Sequence, residues 1–182
     1  MAPEALSRKS WVAVALAVDL GQLLDERLFP LVLGGDCSIL LGNMLALRKR
    51  GHFGLAFLDG HLDFRHPGNS EVVGAAAGED LALVTGRGAP ELSDPDGLGP
   101  LVRDGDVVAL GERESDPETS DVQETEITVL DLRAVRRMGV SAAAGHARVL
   151  WSHLRTEHPT PDRCHTVIRA LPACNPRRVE RG

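Results

Sequence analysis

The sequence predicts an α/β protein in which a parallel sheet is covered by helices on both faces, giving three α/β/α layers. Two observations lead to this class. Short, uniformly apolar runs, typical of buried strands, alternate with segments whose apolar residues recur at helical spacing. The 182 residues, 43% hydrophobic and 25% charged, also suffice for one domain with a sizeable core. We place that domain at residues 1–154.

The first third of the chain contains two helix–strand units. Apolar residues at helical spacing predict an amphipathic helix over Trp11–Arg27. The run FPLVLGG at 29–35 is apolar and ends in two glycines, which predicts a buried strand. A second helix begins near Ser38, a favourable capping residue, and ends at the basic residues 48–50, which suit a helix C-terminus. The apolar run GLAFL at 54–58 then predicts a second buried strand.

The rest of the domain continues the alternation after a turn-rich interval. Prolines and glycines mark the irregular parts, and apolar runs mark the strands. In chain order we predict a loop at 65–74, a helix at 78–86, irregular chain at 87–105, strands at 106–111 and 127–132, and helical chain at 135–150 with a break at Gly139.

Composition argues against several classes of protein. The net charge of −6 argues against a nucleic-acid binder, since phosphate binding needs a basic face. No apolar run approaches the length needed to span a bilayer, and the first residues lack the apolar region of a secretory signal. Cys37, Cys164 and Cys174 are an odd number of cysteines at irregular spacing, which fits a reducing cytoplasm better than a disulfide framework.

Polar residues with metal-binding side chains follow two of the predicted strands. GGDCS follows the first strand, and in DGHLD, after the second, Asp59, His61 and Asp63 occupy alternate positions. In parallel sheets, sites gather beyond the carboxyl ends of the strands, where period-two spacing points such side chains the same way. Carboxylate and imidazole suit a divalent metal. The alternative is structural: Asp59 caps the next helix, His61 is a hydrogen-bonded polar residue and Asp63 is solvated.

Together these motifs resemble the arginase/agmatinase (ureohydrolase) family. Members carry GGDHS and then DAHxD at about the separation found here between GGDCS and LDGHLDF. The resemblance continues through DVVALGERESD and, more weakly, DLRAVRRMG, and covers residues 10 to 154. It implies a partial arginase-like fold. It also implies a metal-dependent hydrolase of C–N bonds in small guanidinium or amidine compounds, with a hydroxide bridging two Mn²⁺ ions as the nucleophile.

The resemblance also implies which side chains bind metal. Asp59 would bridge the two ions, while His61 and Asp63 would each bind one, and Gly60 replaces the alanine of the family motif. Cys37 stands where the family has a metal-binding histidine. A thiolate can bind metal but favours softer ions than manganese, and a small buried thiol is the alternative interpretation. No catalytic residue is assigned beyond this metal site.

Besides Cys37, the sequence departs from the family pattern before Gly78 and after His153, whereas Asp36 matches the family motif. Asp36 is expected to fix the turn rather than to bind metal, and Ala77 precedes Gly78 where many members have a proton-transferring histidine. His153 in WSHL matches the histidine that precedes two further metal-binding aspartates in the family, but no DxD follows it. We therefore expect one bound ion or none and slow hydrolysis or none. The alternative is a non-catalytic remnant or a metal-binding interaction domain.

The final segment, residues 155–182, is predicted to be a divergent, disordered tail because of its prolines and charges. Its ligand-type residues do not have zinc-site spacing; they are His158, Cys164, His165 and Cys174. Both a natural divergent end and a shifted reading frame are compatible with this segment. Glu79 and Asp80 are expected to be a solvated helix start, with a substrate-facing role as the alternative. LGGD and GRGAP lack the spacing of nucleotide-binding loops. A homo-oligomer is compatible with the sequence, which does not identify the substrate.

Overall fold

In the part of the chain that the structure describes, the sheet has four parallel strands. The computed structural model describes residues 3–34, 36–113, 117–150 and 166–169. The strands are β1 (Leu55–Leu58), β2 (Val107–Leu110), β3 (Thr128–Leu130) and β4 (Thr166–Arg169), in the spatial order β3-β2-β1-β4. The strands predicted at 54–58, 106–111 and 127–132 are thus confirmed, as is the α/β class with a parallel sheet.

Helices fill most of the intervals between these strands. The predicted first two helices are confirmed, as is the break at Gly139, which has a φ of 85° that glycine adopts readily. In chain order they are α1 (Pro3–Asp25), α2 (Ile39–Arg48), α3 (Asp80–Val84), α4 (Pro90–Ser93), α5 (Thr119–Gln123), α6 (Leu132–Met138) and α7 (Val140–Leu150). Short 3-10 turns lie at Ala76–Gly78, Pro95–Gly97 and Asp104–Asp106.

Successive residues of β1 and β2 point to opposite faces of the sheet, and both faces are buried. Leu55 and Phe57 belong to the main core together with apolar residues of α1, α2 and α3. Ala56 and Val108 form a smaller cluster on the other face. Burial on both faces explains why these strands are continuously apolar rather than alternating, and it agrees with a layered α/β/α arrangement.

Close packing between α1 and α2 depends on a small residue. A Cβ atom at Gly42 would lie 2.9 Å from the carbonyl oxygen of Ala13 and 2.8 Å from the Leu16 side chain. The same two helices are joined by Arg50, whose guanidinium bonds both carboxylate oxygens of Asp25, at 3.0 and 2.7 Å. These contacts fix α2, and therefore the chain that leads into it, against the core.

The strand predicted at 29–35 is not formed, and this prediction is wrong over the described residues 29–34. Leu31 and Leu33 are 79% and 86% exposed. A strand needs a neighbour to satisfy its backbone groups, and β1 already pairs with β2 on one edge and β4 on the other. Apolar composition alone does not supply a pairing partner.

Strand β4 lies inside the segment that the sequence predicts to be irregular. Its four residues, TVIR, pair in parallel with β1 from Leu55–Thr166 to Leu58–Arg169. The rest of 155–182 lies outside the described residues, so disorder there and the boundary at 154 stay predictions. Among the described helices, none combines the length and apolar character of a bilayer-spanning segment.

Candidate metal centre

Hydrogen bonds join the loops that follow β1, β2 and β3 at the carboxyl edge of the sheet. The Asp59 amide donates to the Leu110 carbonyl at 3.2 Å, and the Gly111 amide donates to the Leu130 carbonyl at 2.9 Å. The loops after β1 and β2 thus run side by side at the edge where parallel sheets carry their sites.

Three potential metal ligands converge at this edge. The Sγ atom of Cys37 and a carboxylate oxygen each from Asp59 and Asp63 all lie within 4.8 Å of one another. Cys37 precedes α2, whereas Asp59 directly follows β1 and its side chain is only 4% exposed. The fold therefore brings Cys37 together with two aspartates that follow it by 22 and 26 positions, around a space suited to one cation, and no second group of this kind occurs among the described side chains.

The conformation of Asp63 is set by the packing of its neighbours. Leu62 and Phe64 are both fully buried in the main core, on either side of Asp63 in the sequence. Asp63 itself has a φ of 49°, in the left-handed region that aspartate tolerates better than most residues. Its carbonyl accepts from the Ala82 amide at 3.4 Å, which connects the motif to α3.

His61 lies beside this group rather than in it. Its side chain is 49% exposed, and its Nδ1 atom is 3.7 Å from Oδ1 of Asp59. The same oxygen accepts the His61 backbone amide at 3.0 Å, which fixes the turn after β1. Asp59 thus has a local structural role in addition to its place in the group, and assignment of His61 as a ligand remains a prediction.

The electrostatic surroundings of Cys37 are strongly negative. Burial raises the pKa of its thiol to about 12, and the charges of Asp80, Asp63 and Asp59 contribute to the rise. The thiol also hydrogen-bonds to the Asp63 side chain. Without a cation the sulfur is therefore a protonated thiol that donates to a carboxylate, whereas a bound cation would favour the thiolate.

The turn into α2 is closed by Asp36. Its Oδ1 atom accepts the Ser38 backbone amide at 2.9 Å and also contacts the Ser38 hydroxyl. This confirms that Asp36 fixes the turn. Ser38 occupies the capping position of α2 but makes no side-chain capping bond.

Glu79 and Asp80 are buried, so the expectation of a solvated helix start is wrong. Glu79 accepts the backbone amides of Gly74 and Ala75 and closes that loop. Asp80 is 0% exposed, and burial together with the charge of Asp63 raises its pKa. Its Oδ1 atom accepts the Leu81 amide at 2.9 Å, whereas Oδ2 has no hydrogen-bond partner.

Sequence reasoning missed Asp80 as a member of this electrostatic cluster. The available signal was the run LALV directly after it, because a short helix with apolar residues on every side is buried on every side. Because Asp80 is the first residue of this buried helix, its side chain is buried as well.

The donor set fits one divalent cation. With a cation bound, two carboxylates and a thiolate would supply three anionic donors, and the buried Asp80 carboxyl group would add a negative charge nearby. The set does not fit a pair of manganese ions, because the sulfur is a soft donor and the described residues bring no further carboxylates into the group. The other ligand-type residues noted in the sequence lie outside the described residues: His153, His158, Cys164, His165 and Cys174.

Proteins of known identity resemble this chain in sequence. The profile of the Arginase family matches residues 5–153. The arginase of Bacillus subtilis (strain 168) is 30% identical over 128 residues, which are 69% of this chain and 43% of that protein. The arginase of Bacillus caldovelox is 31% identical over 128 residues, which are 69% of this chain and 42% of that protein. The chain therefore matches less than half the length of these relatives.

Solved structures agree with the sequence match. The crystal structure of an arginase from Bacillus cereus superposes with a TM-score of 0.74 at 31% identity, covering 81% of this chain and 52% of that one. A formimidoylglutamase from Bacillus subtilis, at 19% identity and a TM-score of 0.59, shares the fold. Because the family profile covers most of the chain, including the strand-end motifs GGDCS and DGHLD, this chain belongs to the arginase family.

Proposed function

We propose that this chain is a metal-dependent hydrolase of the ureohydrolase type, acting on a C–N bond of a small guanidinium or amidine compound. The observation that carries the proposal is the convergence of Cys37, Asp59 and Asp63 at the carboxyl edge of an arginase-family sheet. A divalent cation bound there would lower the pKa of a coordinated water, which is the chemistry this reaction needs.

The chain's own residues supply binding and charge. Asp59 and Asp63 hold carboxylates at fixed positions, because one lies in the turn after β1 and the other between two buried side chains. The cluster of acids also favours a cationic substrate over an anionic one. His61, half exposed beside Asp59, is by family resemblance a ligand of a second ion.

A single ion is the expected occupancy. Two dications about 3.5 Å apart repel by about 19 kcal/mol at an effective dielectric constant of about 20. Several carboxylates must offset that repulsion, and the described group offers only Asp59 and Asp63 together with the Cys37 sulfur. We therefore expect weak binding of one ion and slow hydrolysis.

The test combines metal content with urea release from arginine and from agmatine, with Mn²⁺ added. We expect at most one ion per chain and turnover well below about 10 per second, the ordinary enzyme range. Asp59→Asn should abolish any urea release, whereas the exposed Asp19→Asn, the same chemical change on α1, should not alter it. Equal urea release from wild type and Asp59→Asn would refute the proposal.

The second candidate is a non-catalytic remnant or metal-binding interaction domain. It is favoured by the cysteine at position 37 and by the single group of ligands among the described residues. A bound ion without urea release would support the interaction domain, and neither ion nor urea would support a remnant.

A cytoplasmic location and self-association are also part of the proposal. Cys37 is a free thiol, which suits a reducing compartment. Exposed apolar side chains on α1 and the following segment offer a surface for a second copy; they include Trp11, Val12, Phe29, Leu31 and Leu33.

A further inference from the structure

Two features of the metal centre depart from a site built of carboxylate and imidazole alone. The first is the sulfur of Cys37, which lies within 4.8 Å of carboxylate oxygens of Asp59 and Asp63 and hydrogen-bonds to Asp63. Thiolates favour zinc and other soft or borderline ions, whereas manganese prefers oxygen donors. One ligand of the group is therefore mismatched to manganese.

The second feature is the carboxylate of Asp80, which is fully buried and has one oxygen without a hydrogen-bond partner. It lies close enough to Cys37, Asp59 and Asp63 for their charges to act on one another. In its ionised form, a buried carboxylate beside other acids is unfavourable unless a positive charge compensates it, and without a cation it is protonated. The observation is independent of Cys37, and it too points to a cation at this place.

We infer that this centre is selective for a single thiophilic divalent cation such as Zn²⁺, ligated by Cys37, Asp59 and Asp63, with the Asp80 carboxylate supplying a neighbouring negative charge. Zinc bonds sulfur at about 2.3 Å and carboxylate oxygen at about 2.0–2.2 Å, so two of its ligands are at most about 4.5 Å apart. The observed group, within 4.8 Å, closes onto such an ion through small side-chain movements. The inference rests on the metal centre of the proposed function but not on turnover.

Selectivity must be separated from the general order of metal affinities. Most sites of nitrogen, oxygen and sulfur donors bind zinc more tightly than manganese. The contribution of Cys37 is therefore measured by comparing the ratio of zinc to manganese affinity between wild type and Cys37→Asp. This substitution replaces the soft sulfur donor with a hard anionic oxygen donor. We expect that ratio to fall at least tenfold in Cys37→Asp.

Cobalt(II) is the direct probe of sulfur ligation, because a cobalt–thiolate bond gives a charge-transfer band in the near ultraviolet. The full chain is titrated with Co²⁺ as wild type and in a Cys164→Ser, Cys174→Ser background, where Cys37 is the only thiol. We expect a band that saturates at one equivalent, persists in the background variant and disappears when Cys37→Ser is added. Zinc should displace it, and manganese should not.

Asp80→Asn tests the neighbouring charge. This change keeps the size of the side chain, and we expect it to weaken zinc binding by about 10- to 100-fold, the usual range for groups next to metal ligands. Circular dichroism and urea unfolding establish whether each variant is folded. If Cys37→Ser does not fold, Cys37→His provides a second variant that lacks the thiol.

The outcomes separate this inference from the proposed function. A cobalt–thiolate band with the expected affinity ratio supports the inference even if no urea is released. No band in the single-thiol background, a band that survives the loss of Cys37, or an unchanged zinc-to-manganese ratio would each overturn it, even if the chain hydrolyses a guanidinium compound.

Discussion

Replacing Asp63 by asparagine should stabilise the metal-free protein while it abolishes metal-dependent stabilisation. The carboxylates of Asp59 and Asp63 have oxygens within 4.8 Å of one another. At that distance and an effective dielectric constant of about 20, two negative charges repel by about 3.5 kcal/mol. Structural relaxation reduces this value, so we expect Asp63→Asn to raise the free energy of unfolding by about 1–3 kcal/mol.

Asparagine is the suitable replacement because it changes charge and little else. It tolerates the left-handed conformation of residue 63, where φ is 49°, and it keeps an oxygen that can accept from the Cys37 thiol. Alanine has neither property, so Asp63→Ala should be less stable than Asp63→Asn by about 1–2 kcal/mol.

Urea unfolding in the presence of a chelator and then of excess Zn²⁺ measures both effects. At a free zinc concentration 100 times the dissociation constant, wild type should gain about 2.7 kcal/mol, whereas Asp63→Asn should gain much less. The exposed Asp19→Asn should stay within about 0.5 kcal/mol of wild type in both conditions. If Asp63→Asn is less stable than wild type in chelator, or gains as much from zinc, the reasoning is wrong.

Three further changes test the packing and the site. Gly42→Ala places a Cβ atom against α1 and should lower the free energy of unfolding by about 1–3 kcal/mol. Gly145 has open space around it, so Gly145→Ala should raise the free energy of unfolding by up to about 1 kcal/mol. Urea unfolding measures both changes. Arg50→Ala removes the two hydrogen bonds from the guanidinium to the Asp25 carboxylate and should lower the free energy of unfolding by about 1–3 kcal/mol. Asp25→Ala should lower it by no more than that. His61→Ala should keep the affinity for the first zinc ion within about tenfold of the wild-type affinity, because the imidazole lies outside the ligand group. Calorimetry measures both affinities.

Local sequence was sufficient where the signal was local. The apolar runs that became β1 and β2 are buried on both faces, which is why every residue in them is apolar and why the sequence predicts them as strands. The location of the site followed from the same fact, because the polar residues after a buried parallel strand lie at its carboxyl edge. Gly139, which separates α6 from α7, was likewise predicted as a break in a helical run of residues, whereas Gly145 lies within α7.

Local sequence failed where pairing and burial are decided by distant residues. The run at 29–34 is as apolar as β1, but the edge positions beside β1 are taken by β2 and β4, and Leu31 and Leu33 remain exposed. TVIR forms β4 although the prolines around it argued for irregular chain. Its pairing partner, β1, lies more than a hundred residues earlier, so the local sequence could not reveal the pairing. Asp80 is buried because α3 is buried as a whole.

The acids of the metal centre are brought together by the apolar core and not by their own attraction. Asp63 is fixed between Leu62 and Phe64, and Asp80 is followed by Leu81, and these three apolar side chains are at most 1% exposed. Burying each contributes about 1.5–3 kcal/mol, so together they exceed the repulsion of about 3.5 kcal/mol between the carboxylates of Asp59 and Asp63. The core therefore holds a cluster of negative charge that would separate in a flexible chain. A cation that entered would meet side chains already close to one another, so little of its binding free energy would be spent on ordering them.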